Sequence, residues 1–221
     1  GGRHIAYRGR YRMGDRTVHF LDNSVARIDP ETGHIREVHS MAEVLRDNGL
    51  DHLILRSGDA QDPLHLNDVE PVLRGSEHME VGDLFLSFRN LQCVLQFRPT
   101  TGEVVRVIDG PLAAQHDVDI VDDSTLVIFN NNVQENNGVY TNKADKYPVS
   151  KDQVELAHYH SQITRVDLGT GRFTPLFTGL MAEQGIMTAS EGLQESLPDG
   201  RWFLEEQNSG ELWVVGPEGV L

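Results

Sequence analysis

A phrase of alternating apolar residues, a tight turn and a second alternating run recurs along this chain. It spans Ser24–Val38, Cys93–Val107 and Gln162–Leu176, with a shortened copy at Glu211–Leu221. Gly33, Gly102 and Gly171 close the turns at a spacing of 69 residues (102 − 33 and 171 − 102), and Gly219 closes the last. Alternation with period two makes a half-buried strand. The Asp29-Pro-Glu-Thr-Gly33 type of turn supplies a fixed φ at Pro and a positive φ at Gly. Each copy therefore reads as an antiparallel hairpin.

A second hairpin precedes each of the later copies. His116–Val121 turns at Asp122–Ser124 into Thr125–Phe129, and Leu193–Leu197 turns at Pro198–Gly200 into Arg201–Leu204. Leu64–Val72 is followed, after a loop, by Asp83–Phe88. Two hairpins in succession make a four-stranded meander, the unit of a β-propeller blade. The expected fold is all-β: one propeller domain over 1–221 with blade motifs near 18–40, 64–110, 116–179 and 190–221. Blades run to roughly 40–50 residues, so the longer spacing implies insertions. Ser40–Glu43 forms a capping box that opens a helix ended at Asn48-Gly49, and Ser150–Gln153 forms another, opening a helix toward His158. The polar stretch Asn130–Lys146 reads as an exposed loop.

Charge narrows the function. Thirty-four acidic against 19 basic residues give a net charge of −15, which disfavours a nucleic-acid partner because phosphate binding needs clustered Lys and Arg. No apolar run reaches the ~18 residues of a membrane helix. The single cysteine, Cys93, lies in a strand alternation and reads as a buried inert thiol; it leaves no internal disulfide and no CxxC metal site.

Three segments concentrate chemistry. Asp62–Asp68 carries His65 and Asn67, which on a strand would share a face. Leu86–Asn90 places Arg89 at a strand end, and Gln115–Asp117 places His116 at a strand start. The bland readings are a hydrogen-bonded core histidine, an arginine paired with a carboxylate and an asparagine capping a turn. His158-Tyr-His160 has metal-like spacing without nearby partners.

The order of these segments resembles the arylsulfotransferase family: His65-Leu-Asn67, Gly82-Asp-Leu-Phe-Leu-Ser-Phe-Arg89, Thr101-Gly102, Gln115-His-Asp117 and Ile128-Phe-Asn-Asn131, within a likeness over roughly 18–221. The resemblance implies a six-bladed propeller, with blades expected upstream of Gly1, working outside the cytoplasm. It implies sulfuryl transfer from an aryl sulfate to a phenol through a sulfated histidine, without nucleotide donor or cofactor. Matched residue by residue, His116 is the nucleophile, His65 an acid or base, and Arg89 and Asn67 stabilise the transferring group. Two alternatives stand beside this: a non-catalytic propeller that binds a ligand or partner protein, and a metal-dependent enzyme using His65 and His116.

Overall fold

The computed structural model describes residues 3–4, 7–13, 15–132, 160–216 and 219–220. The helix expected from Ser150, His158 and most of the 130–146 loop lie outside the described residues. Two compact units emerge, one of 1–73 with 81–108, the other of 74–80 with 109–221.

In the first unit, strands β1 (Arg3–His4), β4 (Ser24–Ile28) and β5 (Ile35–Ser40) form one sheet, and β2 (Tyr7–Met13) pairs with β3 (Arg16–Asp22). A four-stranded antiparallel meander follows: β6 (Leu66–Pro71), β7 (Leu84–Phe88), β8 (Cys93–Arg98) and β9 (Glu103–Asp109), each beside its sequence neighbour. The turn chemistry is as the sequence demands. Asp29 accepts the N–H groups of Glu31 and Thr32, and Gly33 adopts φ +71°.

Helix α1 (Met41–Asp47) begins where expected, with Ser40 Oγ accepting the Glu43 N–H. Asp22 completes the cap. Its carboxylate accepts the Ser40 hydroxyl at 2.5 Å and the Ala42 N–H at 3.0 Å, so two donors at this helix start are satisfied from outside the helix. The helix buries Met41, Ala42, Val44 and Leu45 in a core shared with Phe20, Leu86, Phe88, Cys93, Leu95 and Phe97. Cys93 is fully buried, as its alternation implies. Asp83, part of the Gly82–Arg89 motif, is structural: it is buried and receives Arg98 through two hydrogen bonds of 2.7 and 3.0 Å. Gln96 donates to the same carboxylate. A bidentate guanidinium and an amide offset the cost of burying that charge.

The second unit holds two further meanders. The first is β10 (His116–Asp122), β11 (Thr125–Asn130), β12 (Gln162–Asp167) and β13 (Arg172–Leu176). After helix α2 (Thr178–Gln184), the second is β14 (Leu193–Ser196), β15 (Trp202–Glu206), β16 (Glu211–Gly216) and β17 (Gly219–Val220). Val127, Phe129, Ile163, Met181, Ile186, Leu204 and Val215 make its core. The leading strands of the two meanders are tied side by side. The Gln194 backbone N–H donates to the Asp117 carboxylate at 2.6 Å, and its side-chain amide donates to the Asp117 carbonyl and the Asp119 carboxylate. Among the described residues, no helix is long and apolar enough to cross a membrane.

Candidate functional site

β6 and β10 share an irregularity. On β6 the pairing runs Leu66 to Phe88 and then slips before Asp68 meets Ser87; on β10 it runs His116 to Phe129 and slips before Val118 meets Ile128. Asn67 and Asp117 are thus the extra residues of equivalent bulges, and Leu66 and His116 hold equivalent places. Bulges kink a strand and re-aim its side chains, and they concentrate at functional sites. Non-glycine residues with positive φ cluster here: His65 (+49°), Ala114 (+55°) and Asp117 (+44°). Such backbone costs about 1–3 kcal/mol each and persists only where the surroundings impose it.

The left-handed backbone at His65 corrects one expectation. His65 precedes β6 rather than lying on it, so alternation along a strand does not place it on a common face with Asn67. Its position comes from a loop. Asp59 Oδ1 accepts the N–H groups of Gln61 and Asp62, and Asp62 Oδ1 accepts the His65 N–H. The Asp59 carboxyl is held below the usual carboxylate range by those backbone N–H groups, Asp62 first, with smaller help from the charges of His65 and Arg89.

His65 and Arg89 are brought together in the first unit. Arg89 follows β7, is 9% exposed, and donates its backbone N–H to the His65 carbonyl at 3.0 Å. Its Nη1 donates to Asn90 Oδ1 at 3.0 Å, while Asn90 Nδ2 donates to the Asp62 carbonyl at 2.6 Å. Asp62 Oδ2 lies 2.7 Å from His65 Nδ1. The imidazole is still partly open to solvent, its side chain 41% exposed. Asn67, half-buried, sits in the bulge that follows.

His116 is built into the second unit, at the head of β10, and is buried. Its Nδ1 lies 2.8 Å from Asn131 Oδ1 and 3.0 Å from the Ala114 carbonyl. Asn131 cannot be turned the other way, because its Nδ2 donates to the carbonyls of Thr188 and Glu191 at 3.0 and 2.6 Å. Nδ1 therefore faces two acceptors and carries the proton. Nε2 accepts the Glu191 backbone N–H at 3.2 Å, so it bears the lone pair. The ring is the neutral Nδ1–H tautomer, fixed by the hydrogen bonds at both nitrogens.

Asn131 and the 188–191 backbone are site residues that the sequence reading passed over, although Asn131 ends one of its quoted motifs. Two neighbouring asparagines carry no mark of which one faces a histidine. Gly192 supports the same segment. Its φ is +106°, and a Cβ there would come within 2.5 Å of the Phe129 ring. Gly192→Ala is expected to destabilise the fold by about 1–3 kcal/mol through strain and overpacking, read as a lower denaturant midpoint at unchanged m-value.

His158 lies outside the described residues. His160 is buried and its Nδ1 is 2.8 Å from the Ser161 carbonyl. No group of three or more His, Cys, Asp or Glu suited to a metal ion is found among the described residues.

Three four-stranded antiparallel meanders, two of them with a bulged leading strand and one of those headed by a buried, hydrogen-bonded imidazole, define a mostly-β protein. The family can be stated as well. The chain belongs to the arylsulfotransferase (ASST) family, whose sequence model matches residues 8–219. No curated protein matches it.

Proposed function

We propose that this chain transfers a sulfuryl group from an aryl sulfate to a phenolic acceptor, through a covalent intermediate on His116 and without a nucleotide donor. The observation that carries the reading is the locked tautomer of His116. A neutral imidazole with a directed lone pair is a competent nucleophile at neutral pH, and the Nδ1 proton already faces the acceptors that would share the positive charge of an N-sulfo ring. In the first half-reaction Nε2 attacks sulfur, the S–O bond to the phenol breaks, and the leaving oxygen takes a proton from His65. In the second, the acceptor phenol oxygen attacks the same sulfur, the bond from sulfur to Nε2 breaks to return neutral His116, and the phenol's proton passes to His65. Arg89 offers a rigid fork of donors to the sulfuryl oxygens, with Asn67 as a further donor. We take the meanders to be blades of a propeller acting outside the cytoplasm, which family membership and the recurring four-stranded antiparallel units support.

The test is release of a phenol from an aryl sulfate, with and without a second phenol. Transfer to the acceptor with ping-pong kinetics fits the reading; no release at any acceptor concentration contradicts it.

One observation favours a second reading, a binding protein without turnover. The lone pair of Nε2 is already engaged by the Glu191 N–H, so attack requires that contact to break. A binding protein would bind an aryl sulfate saturably and release no phenol.

A further inference from the structure

Asp62 is the node of the first unit's cluster. One carboxylate oxygen accepts the His65 N–H and the other faces His65 Nδ1 at 2.7 Å, while its carbonyl holds Asn90, which in turn holds the Arg89 guanidinium. Two of the four residues named for the reaction, His65 and Arg89, are therefore both oriented through one side chain and its backbone. We propose that Asp62 is a positioning residue that fixes His65 as the Nδ1–H tautomer, so that Nε2 is the nitrogen that gives and takes the proton. This rests on the function proposed above and adds to it the atom that works and the group that aims it.

The two histidines are then set up by different partners. His116 Nδ1 faces neutral oxygens, from an amide and a carbonyl, which fix its tautomer without supplying a counter-ion. His65 Nδ1 faces a carboxylate, which both fixes the tautomer and balances the imidazolium formed when Nε2 is protonated. During sulfuryl loss from the donor, the Nε2 proton passes to the phenol oxygen as its S–O bond breaks, leaving neutral His65. During transfer to the acceptor, the phenol proton passes to Nε2 and restores the imidazolium. Nδ1–H stays on Asp62 throughout. The charges of His65 and Arg89 also act on the neighbouring Asp59 carboxylate.

Asp62→Asn separates orientation from shape. The amide oxygen keeps the His65 N–H, but the amide nitrogen now donates toward Nδ1 and selects the opposite tautomer. Nitrogen-15 NMR of the imidazoles reports this directly. With the ring neutral, the wild type is expected to show His65 protonated at Nδ1 alone, and the variant at Nε2 alone. With the tautomer reversed, kcat should fall by about 10²- to 10⁴-fold, the range of a lost acid–base group, with KM changed only a few-fold. A neutral wild-type His65 that keeps its proton on Nε2 rather than Nδ1 overturns the proposal, and that result does not depend on the variant folding. Reversed tautomer with unchanged kcat overturns it too. If the tautomers are as expected while the wild type releases no phenol from aryl sulfates, the positioning role of Asp62 stands and the sulfotransferase reading falls.

Discussion

Replacing His116 with alanine is expected to abolish transfer, lowering kcat by on the order of 10⁶-fold, the size of the loss when a covalent catalyst is deprived of its nucleophile. In the proposed reaction Arg89 and Asn67 hold the sulfuryl group and His65 handles the proton, while His116 alone is assigned the bond to sulfur. Some destabilisation will accompany the change. His116 is buried and engages Asn131 and the Glu191 N–H; leaving buried partners unmade costs about 1–3 kcal/mol each. Activity should therefore be compared at a temperature where far- and near-UV circular dichroism show the variant folded. Retained transfer in a folded variant would remove His116 from the mechanism.

Asn131→Leu has the largest expected effect on stability. The side chain is fully buried and makes hydrogen bonds to three different groups: His116 Nδ1, the Thr188 carbonyl and the Glu191 carbonyl. Its own carbonyl accepts the Ser161 hydroxyl, whose oxygen in turn accepts the Thr188 N–H. Leucine fills similar volume but leaves the amide's partners short of a donor or acceptor, at about 1–3 kcal/mol for each group that finds no substitute. Two such losses reach a substantial part of the ~5–15 kcal/mol that holds a typical domain together. The expected result is a fall in denaturant midpoint well beyond that of Asn132→Leu. Asn132 makes a longer contact, 3.3 Å to the His160 carbonyl. Equal effects of the two substitutions would show that the Asn131 network carries no special weight.

The sheets were legible because two simple signals coincide in them. Alternation marks the strands, and turns such as Asp29–Gly33 and Asp122–Ser124 mark where they fold back; β4 to β16 follow those signals to within a few residues. Elements without such punctuation were not legible. Helix α2 is preceded by Phe177 in left-handed backbone with no side-chain cap, and it contains Gly179, so the start signals of a helix are absent. The second cap of α1 comes from Asp22, eighteen residues before Ser40, a distance no local rule spans. The candidate residues themselves were legible as types in order. Their geometry was not: His65 leaves the strand because Asp62 and Asp59 draw the backbone into a turn, and the tautomer of His116 depends on carbonyls at 188 and 191 that fix which way Asn131 faces.

The most direct measurement is to mix the protein with an aryl sulfate in the absence of acceptor, quench under alkaline conditions that preserve N-sulfo groups, and map the modified peptide by mass spectrometry. One sulfuryl group on His116, lost again when a phenol is added, is the predicted result. Phenol release with His116 unmodified, or a stable label on another residue, would contradict it.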